Sequence, residues 1–89
     1  MRAIVTVLGK DRVGIMSLVC SLLAERNVNI LDISQTILQD YFTMVMLVDA
    51  SESALPFAEL AALLAAEGEK RDLDIRAQRE DIFNAMHKI

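Results

Sequence analysis

Hydrophobic and polar positions alternate between two periods along this chain, and each change of period marks an element. Ala3-Ile4-Val5-Thr6-Val7-Leu8 is a short β-branched run closed by Gly9, which predicts a central strand with both faces covered. Ile15, Leu18, Val19, Leu22 and Leu23 then recur at helical spacing, so an amphipathic helix with one buried face follows. Arg26-Asn27 ends it, because Asn tolerates the left-handed conformation that closes a helix. Val28 to Leu38 favours a strand whose apolar alternation changes phase between Ile30 and Leu31, predicting a bulge or a face covered by a second chain. Gln39-Asp40 reads as a two-residue hairpin turn.

The returning strand, Tyr41 to Asp49 or Ala50, carries Phe42, Met44, Met46 and Val48 on one face and Tyr41, Thr43, Val45 and Leu47 on the other. One face must lie under helices, and the other is exposed or buried between subunits. Pro56 suits a first helical turn, Phe57, Leu60, Ala61 and Leu64 give a second helical stripe, and Gly68 is expected to end it. Leu73 to Arg79 alternates apolar and polar residues, as a half-exposed edge strand does. After Asp81 as a cap, Ile82, Phe83, Met86 and Ile89 mark a short terminal helix. The order βαββαβ predicts an α+β, ferredoxin-like sandwich: a four-stranded antiparallel sheet with two helices on one face, plus the short C-terminal helix.

At 89 residues the chain forms one domain with a small core. With 54% hydrophobic residues it has little polar surface to cover a monomer, so part of its apolar surface is expected to meet another copy. The net charge of −4 and scattered basic residues exclude a nucleic-acid face, and no basic amphipathic helix or long apolar stretch points to a membrane. A single cysteine, Cys20, rules out an intrachain disulfide, and no charged, apolar leader precedes the first strand. The expected location is cytoplasmic.

The candidate chemistry lies in Gly9-Lys10-Asp11-Arg12-Val13-Gly14-Ile15, where a strand turns into a helix, and in Asn27-Val28-Asn29-Ile30, where a strand restarts. Such a turn presents backbone N–H groups at a helix N-terminus, which can hold a carboxylate or small anion without a catalytic side chain. The plain structural alternatives are that the glycines permit a sharp turn, Asp11 caps the helix, Arg12 is a solvated charge and Asn29 is the first exposed residue of a strand. Enzyme signatures are missing: His87 is the only histidine, Ser17 and Ser21 have no base nearby, and no Cys or His pair has metal spacing. Gly9-x4-Gly14 lacks the Lys-Ser/Thr of a phosphate loop, so no catalytic residue, metal or cofactor is assigned.

Asp11-Arg12-Val13-Gly14-Ile15, followed by Asn27-Val28-Asn29-Ile30 and the strands ending in Met46-Leu47-Val48, resembles the ACT domain, a ligand-binding regulatory module. The resemblance covers residues 1–79 as the ACT-like domain, with 80–89 as a helical extension. The chain, including its ending from Gln78 to Ile89, is similar to small stand-alone bacterial and archaeal ACT proteins, and it also looks like the ACT segments of the glycine-cleavage repressor group. The resemblance implies a homodimer holding a small amino acid or related metabolite where the first loop of one subunit meets the second strand of its neighbour. Carried over by position, the ligand-binding residues are Asp11, Arg12, Val13, Gly14 and Ile15 in the loop, with Asn29 and Ile30 in the facing strand. Where many amino-acid-binding members have Pro, this chain has Val13, which keeps its N–H. Two other readings stay open: a ligand-free module acting on a regulated protein partner, and an acylphosphatase-like enzyme, for which the phosphate-loop motif is lacking.

Overall fold

The computed structural model of the protein describes residues 1–10 and 13–86. The elements are β1 (Arg2–Lys10), α1 (Ile15–Glu25), β2 (Asn29–Leu38), β3 (Tyr41–Asp49), α2 (Phe57–Glu69), β4 (Leu73–Arg79) and α3 (Glu80–Met86). They build one four-stranded antiparallel sheet in the order β2-β3-β1-β4. β1 and β2 point the same way with β3 between them, so α1 is the crossover that leaves room for the hairpin to return.

Alternation decides which face meets the helices. Ala3, Val5 and Val7 of β1, Phe42, Met44, Met46 and Val48 of β3, and Leu73 and Ile75 of β4 are all buried on one face. Ile15, Val19, Leu22 and Leu23 of α1 and Leu60 and Leu64 of α2 complete the same core. The hairpin turns at Gln39-Asp40, with Gln39 at φ 55°. The predicted bulge is present as well: the β2–β3 register shifts between Ile30 and Asp32, leaving Leu31 without a ladder partner.

Four expectations need correction. β1 does not end at Gly9 but runs to Lys10, with Gly9 paired to both Phe42 and Leu73. Its second face is only partly covered, since Ile4 and Thr6 are half-buried and Leu8 is 50% exposed; α1 and α2 both belong to the opposite face. Gly68 does not stop α2. It is buried in the last turn, where a Cβ would lie 2.8 Å from the Leu73 carbonyl oxygen and 2.9 Å from Ile75 Cγ1, so glycine lets the helix press against β4. The chain reverses instead at Asp72, with φ 61°.

The fourth concerns the terminal helix, which begins directly after β4 at Glu80 and puts Asp81 inside the first turn. Acidic Glu80 and Asp81 suit the positive end of the helix dipole. α3 lies against β1 and β4, with Arg2 Nη2 donating to Glu80 Oε2 at 2.7 Å and Arg79 Nη2 donating to Asp81 Oδ2 at 2.9 Å. Phe83 is half-buried, but Ile82 stays 48% exposed, because only one side of so short a helix can face the sheet. His87, and Ile89 of the apolar stripe, lie outside the described residues.

The contact at Gly68 makes a specific demand. Gly68→Ala should destabilise the protein by about 1–3 kcal/mol in urea unfolding, because overpacking against backbone outweighs the gain of up to about 1 kcal/mol in helix propensity. An unchanged or raised midpoint would mean that α2 and β4 can separate at no cost.

Candidate functional site

Among the described residues, the ligand-binding candidates lie at one end or the other of the sheet, Val13, Gly14 and Ile15 at one and Asn29 and Ile30 at the other. At the upper end, β1 ends at Lys10 and α1 is preceded by Val13 and Gly14. Gly14 is the N-cap of α1 with φ 92° and ψ 1°, and its carbonyl accepts from Leu18 N–H at 2.9 Å. The first N–H groups of α1 have no intrahelical acceptor by construction, and the first turn contains no acidic residue to answer them. This end of the helix therefore favours an anion. Val13 stands fully in solvent, whereas Ile15 is buried, so Ile15 can offer a ligand only its backbone. Asp11 and Arg12 lie outside the described residues.

At the lower end, the turn from α1 into β2 is held by a run of backbone bonds. Asn27 N–H donates to the Ala24 carbonyl at 3.0 Å and Val28 N–H to the Leu23 carbonyl at 3.0 Å, with Asn27 at φ 61° as the sequence implied. Asn27 Nδ2 donates to the Glu52 carbonyl at 3.1 Å, and Ala54 N–H donates to the Arg26 carbonyl at 2.9 Å, which fastens the β3–α2 loop beside this turn. The result is a shallow depression lined by Ala24, Asn27, Val28, Asn29 and Glu52. Two carboxamides and a carboxylate at its rim are groups that can meet an ammonium ion. Glu52 was not legible as a site residue, because it reaches the depression only through the loop contacts above. Ile30, half-buried and packed on the core, supports Asn29 from behind.

A polar staple lies beside this end. Ser51 Oγ and Ser51 N–H both donate to Asp49 Oδ1, at 2.6 and 2.9 Å, and the Met1 ammonium donates to the same carboxylate and to Ser51 Oγ. These bonds, chiefly from Ser51, hold the Asp49 pKa down from 3.8 to about 2. Among the described residues, no three His, Cys, Asp or Glu side chains converge to hold a metal ion, and no helix is long and apolar enough to cross a membrane.

The two halves of the candidate site do not meet within one chain. Asn29 pairs with Asp49, which pairs with Arg2 at the start of β1, whereas the loop departs from the far end of β1 at Lys10. At about 3.3 Å per residue, that separates them by about 26 Å along the sheet.

Two outcomes follow for the two ends. Because no atom lies within 4 Å of a Cβ built on Gly14, its replacement is strained by the backbone alone. Gly14→Ala should cost about 1–2 kcal/mol and Gly14→Asn less, measured by urea unfolding; equal costs would contradict the left-handed cap. At the lower end, a depressed folded pKa means that the Asp49 contribution is fully present above about pH 4 and is lost as pH falls through about 2. Carboxyl titration by NMR should find Asp49 near the low value and find it raised in Ser51→Ala; a Ser51→Ala titration identical to wild type would refute the assignment.

Comparison with known proteins identifies the family and agrees with the fold. The sequence model of the ACT domain matches residues 2–78. A UPF0237 protein of Listeria monocytogenes is 54% identical over 89 residues, covering 100% of both chains. An ACT domain protein from Streptococcus pneumoniae superposes with a TM-score of 0.83 at 42% identity, covering 98% of each chain. A structure described as a glycine cleavage system transcriptional repressor shares the fold, with a TM-score of 0.74 at 24% identity over 86% of this chain and 44% of its own. On the β2-β3-β1-β4 sheet, the loop before α1 and the match over nearly all of its length, the chain belongs to the ACT domain family, among the small UPF0237 proteins.

Proposed function

We propose that the protein is a non-enzymatic regulatory module that works as a homodimer and binds a small amino acid or related metabolite between its subunits. The observation that carries this reading is the placement of the two half-sites at opposite ends of one sheet. An isologous dimer turns one copy end for end, so that the upper end of each chain can face the lower end of the other. Two equivalent sites then form, each complete only in the assembly.

The chemistry divides by charge. N–H groups around Val13, Gly14 and Ile15, with the α1 dipole behind them, take the carboxylate, while Asp11 from the same loop or Asn29 from the other subunit takes the ammonium group. Val13, exposed in the single chain, would be covered by the neighbour. Because a ligand held by two chains binds the dimer and not the monomer, occupancy and assembly are linked, and a change in assembly can be passed to a partner. The ligand-free reading, a module that docks on a regulated protein, has one observation in its favour: Leu8, Tyr41 and Val45 remain exposed on the sheet face away from α1 and α2.

Calorimetry with a panel of amino acids tests the proposal. One ligand should bind with two sites per dimer, and Asn29→Ala or Asp11→Ala should weaken it about tenfold or more. Mixing the two variants should restore about one quarter of the wild-type sites, since half the dimers are then mixed and each holds one intact pair. Failure of every amino acid to bind a confirmed dimer would leave the protein-docking reading, and no recovery on mixing would place the site within one chain.

A further inference from the structure

The depression at the lower end of the sheet offers more than a single ammonium group needs. It measures about 320 Å³, at the small end of the range for ligand pockets, and is lined by Ala24, Asn27, Val28, Asn29 and Glu52. Its free polar atoms are mostly acceptors. Asn27 commits its Nδ2 to the Glu52 carbonyl at 3.1 Å, so Oδ1 is the unused acceptor of that side chain, and the Glu52 carboxylate can only accept. Val28 and Ala24 add an apolar patch beside these groups. Apolar atoms next to a cluster of acceptors are the complement of a methylene stem that ends in a cation.

Glu52 also lacks a counter-charge. The basic residues nearest this end are committed elsewhere, Arg26 to Glu25 at 3.0 Å and Arg2 to Glu80 at 2.7 Å, and among the described residues no basic side chain pairs with Glu52. In the single chain the carboxylate is exposed, and water solvates it. Once a neighbouring chain covers the depression, an unanswered carboxylate there becomes costly. A ligand with a second positive charge removes that cost. The α-ammonium alone serves less well, because the α-carboxylate on the same carbon would approach Glu52 with it and be repelled, whereas a side-chain cation lies several bonds away.

We infer that Glu52 is a specificity-determining residue that selects an amino acid with a basic side chain, a diamino or guanidino acid, over its neutral counterparts. The inference rests on the two-chain site proposed above and names the ligand class for it. The α-carboxylate goes to the N–H groups at the start of α1 in one chain. Asn29 of the other chain meets the α-ammonium, and the methylenes pass over Ala24 and Val28 to bring the cation to Glu52 and the Asn27 Oδ1. Main-chain bonds hold Glu52 in place: its carbonyl accepts from Asn27, and Ala54 N–H donates to the Arg26 carbonyl at 2.9 Å. Glu52→Gln therefore removes the charge and leaves the loop fastened.

Calorimetry on the native dimer with two matched pairs tests the assignment. Norleucine has the four-carbon stem of lysine without the terminal ammonium, and citrulline replaces the guanidinium of arginine by a neutral group. Lysine or arginine should bind about tenfold or more tightly than its neutral match, and Glu52→Gln should abolish that preference while leaving the urea midpoint and the dimer dissociation constant unchanged. Equal binding within each pair, or a preference that survives Glu52→Gln, overturns the inference and leaves the functional proposal standing. Equal weakening of both members by Glu52→Gln also overturns it, since Glu52 then meets the α-ammonium that every amino acid carries. A Glu52→Gln dimer that dissociates more readily with its preference intact overturns it as well, because Glu52 then pairs with the neighbouring chain. If none of the four binds, the inference fails alone where another amino acid occupies two sites per dimer, and fails together with the functional proposal where none does.

Discussion

The fold depends on a single constraint: β1 and β3 must turn the same set of alternate residues toward the helices. Ala3, Val5 and Val7 lie beside Val48, Met46 and Met44 in the ladder, and all six are buried. A slip of one residue in either strand would exchange that set for Ile4, Thr6 and Leu8 or for Thr43, Val45 and Leu47. Because β1 and β3 are the central pair, their register fixes the height of every other element. α1 and α2 follow from it, since both have one apolar stripe and only one sheet face to bury it on.

That same register accounts for the separation of the two proposed half-sites. Strands β1 and β2 run in the same direction, so the loop that ends β1 and the residue that starts β2 are at opposite ends. No side-chain motion in one chain can bring Asn29 to Gly14 across about eight ladder steps. The crossover topology that makes the domain compact is therefore what makes a two-chain site natural for it, and it ties any ligand held there to assembly.

Edges and faces divide the remaining surface by chemistry. β4 is shielded by charge and by its close fit to α2 at Gly68, while the upper half of β2 is left uncharged. α3 lies against β1 and β4, with ion pairs from Arg2 to Glu80 and from Arg79 to Asp81. Leu8, Tyr41 and Val45 stay open beyond it. Surface ion pairs of this kind contribute little each, and Phe83 adds a half-buried apolar side chain.

From the sequence alone, period-two and period-3.6 patterns were enough to place the strands and helices, the hairpin at Gln39-Asp40, the bulge after Ile30 and the left-handed turn at Asn27. Each of these is set by local sterics or by which residues must share one face, so neighbouring residues carry the information. The loop and Asn29 were legible as residue types, and their family resemblance was legible too. Tertiary structure alone decided that Gly68 packs rather than terminates, that Gly14 is needed for its φ rather than for space, and that Glu52 borders Asn29. It also decided that the half-sites lie at opposite ends and that Asp32 occupies the N–H of Ile33. These depend on distances between residues far apart in the chain or on the direction of a backbone bond relative to the sheet, and no local pattern of apolar and polar residues encodes either one.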